Sequence, residues 1–158
     1  MKLSAYKIVF LAGVSLMSRA AADGQSARAT QQLVLEVQPI SRLIVSGVPL
    51  PLLAAAGEGV SSASDGSSTY SLVSNLRSMR IVASIDRPMP SGTSLAIRLE
   101  SSKGESRGEV DITGATEVVS GIRPGSDRDQ RIVYRFTAGP GITELPPDER
   151  IVTLTLTD

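Results

Sequence analysis

Beyond residue 30, apolar and polar residues alternate singly along most of this chain. In Gln31–Gln38 (QQLVLEVQ), Leu33, Leu35 and Val37 fall on one face, and Gln32, Val34, Glu36 and Gln38 on the other. A period of two predicts a half-buried strand. Pro39 interrupts it, SRLIVS (Ser41–Ser46) resumes extended, and Gly47 stops it. Val48–Ser67 breaks the pattern with Pro49, Pro51 and a run of Ala, Gly and Ser. It reads as a long connection with room for one helical turn at Leu52–Ala56, its leucines packing on one end of the core.

From Ser68 the alternation returns in short segments separated by Gly/Pro turns. They are Ser68–Ser74, Met79–Asp86, Thr93–Ser101, Glu109–Thr113, Ala115–Ser120, Gln130–Thr137 and Arg150–Asp158. Ser102–Gly108 reads as a polar hairpin, Gly121–Asp129 as a charged loop and Ala138–Glu149 as a proline-rich loop. About nine strands at this spacing, without a helix, predict an all-β fold: an Ig-like antiparallel β-sandwich of about seven to nine strands.

The first residues follow another rule. Lys2 and Lys7 precede an apolar run, Ile8–Met17, which is too short to span a bilayer as an anchor, and Ala20, Ala21 and Ala22 follow. This is the layout of a signal peptide, residues 1–22, cleaved between Ala22 and Asp23. The expected protein is exported, secreted or at the cell surface, and keeps no stable membrane anchor after cleavage. Residues 23–29 (DGQSARA) read as a flexible leader and 30–158 as a single sandwich domain.

Removing Lys2, Lys7 and Arg19 leaves 13 basic against 16 acidic residues, a net charge of −3. That balance gives no electrostatic case for nucleic acid. Cysteine and histidine are absent. No disulfide framework is possible, Ser-His-Asp and Cys-His catalysis are excluded, and the usual transition-metal ligands are missing. The aromatics left after cleavage are Tyr70, Tyr134 and Phe136, too few for a sugar-stacking or base-stacking platform.

Weaker candidates remain. Asp127 and Asp129 form a D-x-D pair, but the glycine and terminal glutamate of a calcium loop are missing, so a solvated, self-paired charged turn is expected. Glu100, Glu105, Glu109 and Glu117 carry no glycosidase signature. Lys103, beside Ser101 and Ser102, sits in a polar hairpin that offers a Ser-Lys dyad no desolvation. No catalytic, cofactor-binding or metal site is assigned, and no enzyme activity is expected.

The terminal strands carry the functional reading. Leu33, Leu35 and Val37 suit a strand donated to a neighbouring copy, and Val152, Leu154 and Leu156 an acceptor or terminal strand. Head-to-tail donation does not close on itself and so builds fibres. The segments ATQQLVLEVQ, STYSLVSNLRSMRIVASIDRPMPSGTSLAIRLE and RIVTLTLTD resemble those of small bacterial secreted, fimbrial-subunit-like β-sandwich proteins. The resemblance implies a signal peptide, a TQ-rich first strand and Ig-like strands. The chain departs from many chaperone–usher pilins in lacking paired cysteines and a tyrosine next to the C-terminus, so the resemblance implies a surface fibre rather than an usher-assembled pilus. The expected function is a structural subunit of a pilus or extracellular matrix fibre, self-associating into a homopolymer by β-strand complementation. The alternative is a monomeric secreted or periplasmic binding module for a glycan or partner protein.

Overall fold

The computed structural model describes residues 30–55 and 57–158. The expected signal peptide, its Ala22–Asp23 cleavage site and the leader lie outside the described residues. The sheets belong to one compact unit, Val37–Asp158, and Thr30–Glu36 falls outside it. Among the described residues there is no helix, and so none long and apolar enough to cross a membrane.

Nine strands follow in order: β1 Ser41–Ser46, β2 Ser61–Ser74, β3 Met79–Ile85, β4 Thr93–Leu99, β5 Glu105–Ser106, β6 Val110–Asp111, β7 Thr116–Ile122, β8 Gly125–Ala138 and β9 Val152–Thr157. They form two antiparallel sheets, ordered β1-β2-β8-β4-β6 and β5-β7-β3-β9. Every connection after β2 passes from one sheet to the other. The chain therefore weaves between two layers, as a β-sandwich requires.

The core lies between the layers. Tyr70 and Leu72 of β2, Ile97 and Leu99 of β4 and Ile132 of β8 meet Ile81 and Ala83 of β3 and Val118, Val119 and Ile122 of β7. Each buried aliphatic side chain of this size contributes about 1.5–3 kcal/mol relative to exposure. The Tyr70 hydroxyl donates to the Glu100 carbonyl at 2.6 Å, which satisfies the polar tip of a fully buried ring.

β1, β3, β4 and β9 lie where single alternation predicts them. The departures have local causes. Gln31–Gln38 forms no strand, and Leu52–Ala55 forms no helical turn. Ser61–Ser67 reads as loop yet is the first half of β2, paired along its length with β8. A bulge at Gly66–Ser67 explains the broken period: Asp65 pairs with Tyr134 and Ser68 with Ile132, so β2 carries one extra residue there. The Asp65 carboxylate closes the bulge by accepting from Ser67 N and Oγ at 3.3 and 2.8 Å.

The expected charged loop at 121–129 is likewise mostly β8. Tyr70 pairs with Gln130 and Leu72 with Asp127, which places the extra residue of a second bulge on β8. Asp129 there takes a left-handed φ of 50° and donates its N–H to Ser71 Oγ. The bulge reverses the in–out parity, so Asp127 points into the sandwich together with Ile132 and Tyr134. On β7, register shifts opposite Met79–Val82 turn both Val118 and Val119 inward. The expected polar hairpin is real in part: β4 and β6 pair antiparallel, but Glu105–Ser106 leaves to pair with β7 in the other sheet.

Candidate functional site

Sheet edges are where this fold still offers backbone for pairing. β5 and β6 each end a sheet with only two residues, too short to template another strand. β1 ends the larger sheet and is bracketed by Pro39 and by Pro49 and Pro51. β9 ends the smaller sheet differently. Its six residues, VTLTLT, contain no proline, glycine or charge, the devices that normally blunt an edge.

β3 positions β9. Ile81, Ala83 and Ile85 pair with Leu156, Leu154 and Val152, so all three acceptor candidates lie on the inward face. The two strands are covered unequally. Ile81 and Ala83 are fully buried because β7 flanks them on the far side, whereas Val152, Leu154 and Leu156 are only half-buried. β1 approaches β9 across the layers. There Val45, which shares the inward face with its fully buried partner Tyr70, is still 48% exposed. β1 and β9 thus come together where the two sheets end, with Val152, Leu154 and Leu156 half-buried and Val45 partly open to solvent.

Two sets of polar contacts fix the ends of these strands. Asn75 N donates to the Ile40 carbonyl, Ile40 N to Asn75 Oδ1 and Asn75 Nδ2 to the Gln38 carbonyl, at 2.7–3.2 Å. This clamp anchors the chain just before β1. Before β9, Arg150 donates to Glu149 O and Pro88 O and pairs with Asp148, which also meets Arg87 at 2.6 Å. The guanidinium groups beside Asp148 hold its carboxyl below the usual carboxylate range. Asp86 N and Ile151 O, with Asp86 Oδ1 and Ile151 N, then lock the first rung.

The donor candidates lie before the Asn75 clamp. Leu33, Leu35 and Val37 are 73, 83 and 87% exposed, in a segment with no regular secondary structure. An alternating apolar segment that forms no strand among the described residues, and an unblocked edge with a half-covered apolar row, are complementary in chemistry.

The remaining candidates are placed otherwise. Asp127 is not part of a solvated turn: it is 2% exposed and accepts from Ser101 Oγ, Ser102 N and Ser102 Oγ at 2.8–3.0 Å. Ser101 Oγ in turn accepts from Gly104 N. Asp127 therefore ties the β4–β5 loop to β8, while Asp129 is exposed on the bulge. Glu117 pairs with Arg107 and Arg80, Glu109 with Arg135 and Glu100 with Arg98, and Glu105 is exposed on β5. Among the described residues no three acidic side chains gather as a metal site. Sequence reasoning missed the Asn75 clamp, because an asparagine in a turn carries no periodic signal. Compared with known proteins, the chain matches no family model, no curated protein and no solved structure.

Proposed function

We propose that this protein is an exported structural subunit, cleaved between Ala22 and Asp23, that assembles into an extracellular fibre by β-strand complementation and has no enzymatic role. In this reading Thr30–Gln38 of one copy pairs with the free edge of β9 in the next. The added strand continues an Ig-like sandwich, and Leu33, Leu35 and Val37 complete the aliphatic row of Val152, Leu154 and Leu156. The observation that carries it is the β9 edge, free of blocking residues, in a chain whose alternating segment Gln31–Gln38 forms no strand among the described residues. Covering three such side chains is worth roughly 4.5–9 kcal/mol gross at about 1.5–3 each. Backbone hydrogen bonds add to this, while ordering of the donor and lost translational freedom oppose it. Fibre formation therefore requires the whole segment.

Size-exclusion chromatography and electron microscopy of the secreted protein test the proposal. The wild type is expected as filaments or a ladder of oligomers, and Leu35→Asp as a folded monomer, because the change places an unpaired charge in the acceptor row. A synthetic Thr30–Gln38 peptide should cap growing ends and shorten the wild-type polymers. A wild type that stays monomeric at high concentration overturns the reading.

A further inference from the structure

The β2–β3 and β7–β8 turns lie next to each other because Met79, at the start of β3, pairs with Ile122, at the end of β7. Between them opens a cleft of about 350 Å³ lined by Arg77, Ser78, Gly121, Arg123 and Pro124. Arg80, Arg87, Arg98, Arg107, Arg135 and Arg150 each face a carboxylate. Among the described residues, Arg42, Arg77, Arg123, Arg128 and Arg131 face no carboxylate within 4.0 Å, and two of these, Arg77 and Arg123, line this one cleft. Arg123 makes only long contacts, 3.4–3.5 Å, from Nε and Nη2 to the carbonyls of Lys103 and Ser102.

Lys103 adds a third cation at this end, its side chain lying against Gly125 and its carbonyl accepting from Arg123 N at 3.0 Å. Asp127 of β8 is buried and taken up by Ser101 and Ser102, while Asp129 is exposed on the bulge. The backbone of the cleft is unusual as well. Gly121 has a φ of 60°, and Ser78 holds 61°, a left-handed conformation that a side-chain-bearing residue adopts only when its surroundings impose it.

We propose that this cleft binds an oxyanion group, a sulfate or carboxylate carried by an acidic extracellular polysaccharide. Two guanidinium groups without a carboxylate partner, on adjacent turns, supply the donors that the planar, two-oxygen recognition of such groups uses. The cleft is open at the surface rather than closed over, so the polymer bearing the group has room to continue past it. Recognition by charge also fits a chain with too few aromatics to stack on sugar rings. The cleft lies near the Thr157 end of β9, since Arg80 pairs with Thr157, and an extracellular ligand rests on the export proposed above.

Isothermal titration calorimetry of the full secreted chain tests this with a sulfated oligosaccharide, a neutral oligosaccharide of equal length and sodium sulfate. The expected result is saturable binding of the sulfated sugar, no binding of the neutral one, and much weaker binding of free sulfate. Arg77→Gln and Arg123→Gln should each weaken it at least about tenfold, about 1.4 kcal/mol, since each removes charge-assisted hydrogen bonds. Arg77→Lys should retain part of the affinity. Arg42→Gln, which removes an arginine from the outer face of β1, should change nothing. Circular dichroism checks that each variant is folded. The proposal fails if the sulfated sugar gives no saturable heat, if Arg77→Gln with Arg123→Gln binds like wild type, or if Arg42→Gln weakens binding equally. Equal affinity for sodium sulfate would also overturn it, because the cleft would then be a site for small anions.

Discussion

Asp127 places a carboxylate, 2% exposed, in a mainly apolar interior, and its three short hydrogen bonds make that placement tolerable. Replacing it with alanine leaves Ser102 N and two hydroxyls without their acceptor. Asp127→Ala is expected to destabilise the fold by about 3 kcal/mol, since hydrogen bonds to a charged group contribute about 1.5–3 kcal/mol each and are not additive. Urea unfolding measures the loss. A shift within experimental error would show that the β4–β5 loop is held by other contacts. Tyr70, fully buried nearby, gives a second expectation. Its phenol is pushed up to about 12, chiefly by burial, and burial also raises Tyr134. The proton leaves Tyr70 less readily in the fold than in the unfolded chain, whose value is near 10.0. Its contribution to stability is therefore intact below pH 10.0 and is lost as pH climbs toward about 12. Ultraviolet difference titration of the cleaved chain should show delayed phenolate formation, and urea should restore ordinary ionisation.

Strands were legible in the sequence where one face is apolar and the ladder runs unbroken, as in Met79–Ile85, Thr93–Leu99 and Val152–Thr157. They were hidden where pairing is carried by polar residues. Ser61–Ser67 and Gly125–Gln130 have the composition of loops, and a bulge in each resets the period, so no single alternation runs through either strand. Asp127 was misplaced for the same reason: counting by twos from Ile132 puts it on the solvent face, and the Arg128–Asp129 bulge brings it back. The edge position of Val152, Leu154 and Leu156 depends on strand order, which alternation does not encode. At this scale the Asn75 clamp gives a test. Asn75→Ala removes the two side-chain hydrogen bonds to Gln38 and Ile40, each worth about 1 kcal/mol net. Hydrogen exchange at the Ile40 amide should quicken severalfold, while amides of β3 and β4 keep wild-type rates. Unchanged exchange at Ile40 would mean that the backbone bond from Asn75 N to Ile40 O suffices to anchor the segment.

On the scale of the whole molecule, the proposed assembly and the stability of the fold fall to different parts of the chain. The core is drawn from β2, β3, β4, β7 and β8, and its residues are covered by one another. Leu33, Leu35 and Val37 add nothing to that core, since most of their surface faces solvent. A chain beginning at Val37 retains the Asn75 clamp, every strand and the Arg87–Asp148–Arg150 contacts that set β9 in place. The thermal midpoint of the monomeric fold should therefore stay within a degree or two when residues 23–36 are removed, because at this domain size about 1 kcal/mol shifts it by about 2–8 °C and Thr30–Glu36 is exposed. The same truncation should abolish fibres, leaving an acceptor edge with no donor. Adding the Thr30–Gln38 peptide to the truncated protein should raise its melting midpoint in a concentration-dependent way, as a ligand that binds only the folded state must. Scanning calorimetry of the truncated chain, with and without peptide, decides the matter. A large loss of stability on truncation would mean that the segment belongs to its own subunit's fold, and a midpoint indifferent to peptide would mean that the β9 edge does not receive it.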